Sequence, residues 1–565
     1  MEKYVWKLAE SSDAAAVLAS ALNLPRPIAQ VLVNRKITDE ASARTFLYGS
    51  LDDLHDPFRM AGMAAAVDRI FRAVSADETI LIFGDYDVDG VLSVVMLRKA
   101  LETLGARVEH FIPERLKEGY GIKDEHVAVA AERGAGLVIS VDCGIRANGF
   151  VRGARERGID CIVTDHHLPG GELPEAYALL DPVLQNSGYP DRGLAGVGVV
   201  FKLIQALFNR AGKASQLPHY LKLVAIGTVT DVVELRGENR LFVKFGLQNL
   251  RSVSNIGLRM LIEESGIRGK VTEGDIGFRI GPRINAAGRM GETHLALDLF
   301  FATAEGEAMA IARRLSLLNS RRQSAENKIY GEAVERIRVN AWDRSYRILI
   351  MGSETWHRGV IGIVASRLKE AFSRPVLLFS YEDGKAFGSG RSISEFSLID
   401  CLEECRSHVL TYGGHKYAVG CSLLRENMPA FKQAANAVAG ARITDDQMRP
   451  KLLIDAKLQP ADIDDHFLEA LSLLGPFGVG NPRPVFFVEN AEVAGPPRIL
   501  KDKHLKFRLK KDGAAATALG WDKAGWADMV ASGRRVNAVF TVQSSSYLGA
   551  EEVYLSLEDL RPAES

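Results

Sequence analysis

The chain has 565 residues, 47% of them hydrophobic and 25% charged, with 70 Lys plus Arg against 71 Asp plus Glu and a formal net charge of −1. At roughly 100–200 residues per domain, that length means three or four units, and the composition excludes a disordered tail protein, a collagen-like fibre and a disulfide-stapled mini-protein. A near-neutral total leaves nucleic-acid binding open, because local clustering of charge decides it.

Residues before about 45 match no motif and are expected to cap a catalytic core. From 78 to about 231, the runs TILIF (79–83), LVISV (137–141) and CIVT (161–164) alternate with helix-like sequence. Such compact apolar runs predict strands buried on both faces, hence a parallel sheet covered by helices. In an open α/β sheet, the chemistry lies beyond the carboxyl ends of the strands. Residues 302–340 read as one long helix with an apolar stripe through Ala308, Ile311, Leu315, Leu318, Ala325 and Ile329. Arg313, Arg314, Arg321 and Arg322 on it are either a solvated face or a basic wall beside a nucleic-acid channel. A second α/β unit starts at RILIM (347–351), with a helix near 359–371, a strand at 375–379 and a Gly-rich region at 384–390. Short strands at 485–488, 504–509, 537–542 and 552–557 predict a small β-barrel of the OB type. The expected divisions are a cap (1–45), a catalytic domain (46–300), a connecting helix (301–340), a second α/β domain (341–450) and the barrel (451–565).

Cys143, Cys161, Cys401, Cys405 and Cys421 form no CxxC pair and read as free thiols in a reducing compartment. No signal peptide is visible. The longest apolar passage, 194–208, is broken by Lys202 and too short to span a bilayer. A cytoplasmic protein without membrane contact is expected.

The densest chemical signal is Gly84-Asp85-Tyr86-Asp87-Val88-Asp89-Gly90, directly after the first strand. Three carboxylates at alternate positions repel one another unless a multivalent cation neutralises them, and hard cations such as Mg²⁺ and Mn²⁺ prefer oxygen ligands. An EF-hand is excluded because its twelfth position, which needs a bidentate Glu, is Met96; a solvated acidic turn stays open. Asp142, Asp165-His166-His167 and Asp231 are read as closing further strands. Singly, each is as compatible with a helix cap or a satisfied core histidine. Together they form a constellation able to hold two cations that share a carboxylate, the arrangement that clamps both oxygens of an in-line phosphoryl displacement.

DYDVDG (85–90), VDCGI (141–145), DHH (165–167) and GTVTDVV (227–233), in that order, resemble the motifs of the DHH phosphoesterase superfamily. GVIGIVASR (359–367) and GGH (413–415) resemble its DHHA1 partner domain. LAGVG (194–198), GPRINAAGR (281–289) and PFGVGNP (476–482) are similar to the branch that degrades single-stranded DNA from its 5′ end. The resemblance spans about 45–560 and implies a DHH parallel-sheet domain joined by a long helix to a DHHA1 α/β domain, plus a C-terminal OB-fold barrel. It implies 5′→3′ exonuclease activity by two-metal-ion hydrolysis with Mn²⁺ or Mg²⁺, releasing 5′-mononucleotides in DNA recombination and repair. The partners it implies are single-stranded DNA, a helicase and a single-strand-binding protein, with the chain as a monomer.

By the same resemblance Asp87 and Asp89 are metal ligands and Asp85 supports or ligates directly. Asp142 bridges the ions, and His166 and Asp231 complete the second site. His167 faces the scissile phosphate, donating a hydrogen bond to it or a proton to the leaving oxygen. Asp165 is either the acceptor that orients the histidines or a helix N-cap. Arg115, Ser389 and Arg391 bind the 5′-phosphate; a Gly-rich turn with a surface Arg is the plain alternative at 388–392. Arg283 and His415 contact the strand or serve turns. Where many relatives carry Asn-Pro, this chain has Asp181-Pro182, outside the ligand set.

The barrel adds its own argument. Arg498, Lys501, Lys503, Lys506, Arg508, Lys510 and Lys511 face only one acidic residue, Asp502, with Phe507 among them and Trp521 beyond. Basic side chains interleaved with aromatics suit backbone tracking and base stacking; a solvated hairpin whose Phe is core, and a His504 that is an ordinary surface residue, are the alternatives. Two other functions compete with the nuclease: a phosphodiesterase on oligoribonucleotides or cyclic dinucleotides, and a replication scaffold on a decayed core. The barrel argues against the first and the full set of carboxylates and histidines against the second.

Overall fold

The computed structural model describes residues 4–114, 119, 121–547 and 550–563. The chain divides into two units, one of Asp56–Asp231 with Phe245–Pro450, the other of Met1–His55, Val232–Lys244 and Lys451–Ser565. No described helix is long and apolar enough to cross a membrane.

The first unit begins with a five-stranded, all-parallel sheet in the order Arg107–Phe111, Thr79–Gly84, Ala135–Val141, Asp160–Thr164, Ala178–Leu180. Ile80–Phe83 and Val138–Ile139 are buried from both sides, as parallel strands between helices must be. The helix Val88–Thr103 is buried almost all round, and the helices Gly196–Arg210 and Leu221–Thr230 pack on it. The run before Asp231 is therefore the end of the helix Leu221–Thr230, not a strand. Its β-branched residues are tolerated because the helix is apolar on every side, and the Thr230 hydroxyl donates back to the Ile226 and Gly227 carbonyls. Asp231 caps a helix C-terminus instead of closing a sheet.

The long helix runs over Glu305–Val339. Three of its arginines face carboxylates: Arg313 lies 3.9 Å from Glu264, Arg314 is held by Glu292, and Arg322 by Glu326, which also takes Arg367 at 2.9 Å. Those pairs leave the basic-wall reading with fewer free cations.

The second sheet has the order Thr411–Gly414, Ala418–Leu424, Lys385–Arg391, Val376–Glu382, Leu349–Ser353, antiparallel except for the last pair. The Gly-rich stretch is a strand inside this sheet, not a turn. Cβ atoms at Gly388 and Gly390 would lie 2.4 Å from the Phe379 ring and 2.8 Å from Leu377 and Val419, so glycine lets large neighbours close over that face. Phe387, Ser389 and Arg391 alternate onto the other face.

In the second unit a seven-stranded barrel sheet runs Ala456–Lys457, Phe486–Val493, Arg535–Tyr547, Ala550–Pro562, Ala514–Gly520, His504–Lys511, Arg498–Leu500. The N-terminal segment, expected to cap the catalytic core, shares its core with this barrel: Leu18, Ile28, Leu32 and Leu47 belong to one cluster with Phe467, Phe486 and Phe540. A parallel pairing of Val5–Leu8 with Lys451–Ile454 completes the link.

Phe507 is 3% exposed and belongs to that core, which corrects its expected stacking role. Strand alternation puts Leu505, Phe507 and Leu509 inward and Lys506, Arg508 and Lys510 outward. Phe507→Ala is expected to cost about 3–5 kcal/mol of stability, the scale for deleting a buried ring, measured by denaturant unfolding. Strand affinity per folded molecule should stay unchanged; a loss of affinity at unchanged stability would restore the stacking role.

Candidate active site

The acidic loop follows the strand Thr79–Gly84 and enters the helix Val88–Thr103, whose N-cap is Asp87, accepting from the Gly90 amide at 3.1 Å. Gly90 has no room for a side chain: a Cβ would lie 2.5 Å from the Asp85 carbonyl oxygen. Asp89, in the first helical turn and 1% exposed, accepts from the Gly196 and Val197 amides at 2.8 and 2.7 Å. Those amides open the helix Gly196–Arg210, so two helix N-termini face the carboxylates and favour negative charge there.

Asp142 follows the strand Ala135–Val141 with φ 60°, the left-handed region that Asp and Asn enter more readily than other side chains. Its amide is held by the Thr164 carbonyl at 3.0 Å, and a Cβ on Gly196 would stand 2.6 Å from Asp142 Oδ1. His166 Nε2 lies 3.1 Å from Asp142 Oδ1, 3.7 Å from Asp231 Oδ2 and 4.0 Å from Asp89 Oδ2.

Three overlapping ligand sets result, Asp85–Asp87–Asp142, Asp142–His166–His167 and Asp89–His166–Asp231, each with its donor atoms within 4.8 Å of one another. Asp142 and His166 each belong to two. Asp142 Oδ1, His166 Nε2 and Asp231 Oδ2 are buried without a hydrogen-bond partner, a costly state for polar atoms unless something is bound between them. Burial, then the charges of Asp89, Asp87 and their neighbours, push Asp142 and Asp231 far up from the usual carboxylate range, and burial and Asp87 push Asp89 to about 7. Burial and the adjacent His167 hold His166 at about 4, while the Leu194 carbonyl binds its ring and leaves Nε2 as a bare lone pair. The donor set and its unmet charge fit hard divalent cations that also accept imidazole.

Asp165 starts no helix, so the N-cap reading falls. It accepts from His167 Nδ1 at 2.7 Å, from the His166 and His167 amides at 2.8 and 3.1 Å, and from the Ile145 amide at 2.9 Å. Burial would raise its pKa, but the His167 hydrogen bond and charge outweigh burial and hold it below the ordinary value. Conversely, burial would lower His167, and Asp165 reverses this to a raised value. Asp181 is buried and pushed by burial to about 7, and it joins none of the three ligand sets.

A cleft of about 950 Å³ in the same unit is lined by Asp165, His167, Ser389, Arg391 and His415. Burial and the cations Arg146 and His167 lower His415. Arg283 does not line the cleft: its guanidinium is taken by the Ser316 hydroxyl and the Arg279 carbonyl. Arg289, at the end of the same helix Gly281–Arg289, lines it instead. Arg146, Arg358 and Phe387 also line it; sequence reasoning missed them because no motif marks them. Arg115 lies outside the described residues. In the other unit, Lys506 meets Glu552 at 3.2 Å, and Arg508 is exposed on the outer strand face with Lys503 in the turn before it. His504 packs on Trp521 and accepts from the Asp522 amide at 3.0 Å.

The family described as "DHH family, N-terminal domain" matches residues 79–228, the DHHA1 domain 345–441 and the RecJ OB domain 454–559. The single-stranded-DNA-specific exonuclease RecJ of Bacillus subtilis is 35% identical over 568 residues, covering 100% of this chain and 71% of that protein. The Escherichia coli protein of the same name is 33% identical over 529 residues, covering 89% and 91%. The crystal structure of Thermus thermophilus RecJ in complex with Mn²⁺ superposes with a TM-score of 0.86 at 31% identity, covering 100% of this chain and 80% of that one. The complex of that protein with Mg²⁺ gives 0.80 at 29% identity, covering 100% and 79%.

Proposed function

The chain belongs to the RecJ family of single-stranded-DNA-specific exonucleases, and from that premise we propose that it hydrolyses single-stranded DNA from the 5′ end, releasing 5′-mononucleotides. The observation that carries the reading is the buried donor cluster in which Asp142 and His166 are each shared between two ligand sets. Two divalent cations, Mn²⁺ or Mg²⁺, held there by Asp85, Asp87, Asp89, Asp142, His166 and Asp231 would neutralise the scissile phosphate and supply an activated water at neutral pH.

Asp165 holds the Nδ1 proton of His167, which turns Nε2 toward the cleft and keeps the ring easily protonated. The proton on Nε2 of the protonated ring then serves the scissile phosphate as a hydrogen bond or the leaving oxygen as an acid. Ser389 and Arg391 stand beside the N-terminus of the helix Ile361–Phe372. A Cβ on Gly362 would be 2.8 Å from Ser389 Oγ and 3.5 Å from Arg391 Nη2, so the bare glycine lets the hydroxyl and the guanidinium approach the start of that helix, a grouping suited to a terminal phosphate. Arg115 joins them by family resemblance, and His415 and Arg289 meet the first nucleotides. In the barrel, Lys503, Lys506 and Arg508 track the backbone and Trp521 replaces Phe507 as the exposed aromatic.

Single-stranded DNA is the partner in this reading; a helicase and a single-strand-binding protein deliver it, and the chain works as a cytoplasmic monomer in recombination and repair. The test is digestion of labelled oligonucleotides with Mn²⁺. Single strands should be degraded from the 5′ end and blunt duplexes spared, while equal rates on both, or preference for dinucleotides or cyclic dinucleotides, would overturn the assignment. Arg391→Ala should reduce the preference in kcat/KM for 5′-phosphoryl over 5′-hydroxyl ends by about 10- to 100-fold, the scale of a charge-assisted contact. An unchanged preference would move the 5′-phosphate elsewhere.

A further inference from the structure

We propose that Arg358, whose guanidinium sits over the Phe387 ring, is a stacking platform for the 5′-terminal base, a binding element distinct from the metal cradle and from the phosphate contacts. The proposal rests on the reading that the cleft takes a 5′-phosphorylated single strand. The Arg358 guanidinium carbon lies 3.9 Å from the centroid of the Phe387 ring. Both residues line the cleft that holds His167, Ser389 and Arg391.

Arg358 is exposed, and among the described residues its guanidinium has no carboxylate partner; it rests on the Phe387 ring. Most exposed arginines keep their rotamer freedom. This one is held over the ring, and its backbone is set by its neighbours. The Gly359 amide donates to His357 Nδ1 at 3.1 Å, and the Gly359 carbonyl accepts from Arg289 Nη1 at 3.2 Å. The buried Trp356 indole donates to Glu332 at 2.8 Å just before it.

Strand geometry supplies the location. Phe387, Ser389 and Arg391 share one face of Lys385–Arg391, so the platform stands one same-face step, ~6.5–7 Å, from Ser389. That is the reach from a nucleotide's 5′-phosphate to its own base. A guanidinium that sits over a phenyl ring on an exposed residue offers a planar, weakly hydrated group, suited to stacking a base of any identity.

The test compares 5′-phosphorylated single strands whose first nucleotide carries a base or is abasic. Equilibrium binding is measured in Ca²⁺ and kcat/KM in Mn²⁺, on the full chain. The wild type should lose about tenfold on the abasic strand, within the range for one stacked base. Arg358→Ala and Arg358→Lys should each lose about tenfold on the normal strand and nothing further on the abasic one, since lysine keeps the charge but not the plane. Phe387→Leu should fall between wild type and Arg358→Ala.

Three results would overturn the proposal while leaving the exonuclease reading intact. They are an Arg358→Ala variant weakened equally on both strands, as a phosphate contact would be; an Arg358→Lys variant that behaves as wild type; and a wild type indifferent to the missing base. A wild type that neither binds nor cleaves single strands would sink the functional reading and the platform with it.

Discussion

Asp142→Asn is expected to lower hydrolysis of single-stranded DNA by roughly 10³-fold or more, the scale on which removing one member of a catalytic unit acts. Asp142 belongs to the set with Asp85 and Asp87, and its Oδ1 lies 3.1 Å from His166 Nε2 of the set with Asp89 and Asp231, so its loss weakens both cation positions at once, unlike a change at Asp87 or Asp231. Asparagine is the informative substitution because it accepts the left-handed backbone, φ 60°, that Asp142 occupies. A loss of activity therefore cannot be assigned to a collapsed loop. The same change should raise the Tm of the cation-free protein near pH 8. Burial and the charges of Asp89, Asp87, Asp231 and Asp85 all oppose ionisation of Asp142, and an amide removes that opposition. Activity within tenfold of wild type, or a fall in cation-free Tm, would contradict the shared-ligand geometry.

The second large effect is the dependence of stability on pH and cation together. Asp89, at about 7, and Asp142 and Asp231, also raised well above their ordinary value, all lie above the ~3.9 of an unfolded aspartate. A carboxyl raised in the folded state gives stability that is complete below ~3.9 and is lost as pH rises through the folded value. His166 works the other way: held at about 4, it favours the fold above the ~6.5 of a free imidazole and loses that contribution as pH falls. Between pH 6 and 8 the carboxylates dominate, so the cation-free protein should lose stability across that window. Mn²⁺ takes the place of the protons, and the Tm rise it causes should be larger at pH 8 than at pH 6, on the order of 5 °C at saturating Mn²⁺. Scanning calorimetry with and without Mn²⁺ at the two pH values reads this directly. An equal rise at both would mean that the carboxylates are not titrating together in the cradle.

Much of the architecture was legible because its signals are local. TILIF, LVISV and CIVT are strands where expected, and the alternating aspartates do sit between a strand and a helix. Asp231 was misplaced because Thr-Val-Thr has strand-like residues, and only tertiary burial on all sides makes a helix of them. Phe507 was a different kind of miss, since its alternation with Leu505 and Leu509 already marked it as inward-facing. For Arg283 and Arg289, nine residues of motif carry both, and only the helix phase decides which one reaches the cleft. Arg358 and Phe387 are 29 positions apart and meet only through the packing of the second sheet. The N-terminal helices carried no local sign of their partner, because the residues they pack on come after position 450.

That last arrangement shapes how the protein is made. Leu18, Ile28 and Leu32 emerge from the ribosome about 400 residues ahead of the barrel strands that bury them. At ~5–20 residues per second of translation, those side chains wait for roughly 20–80 s with their apolar faces wet. The unit is thus completed only once residues beyond 450 are made, and these helices need shielding, by a chaperone or by transient collapse, until then.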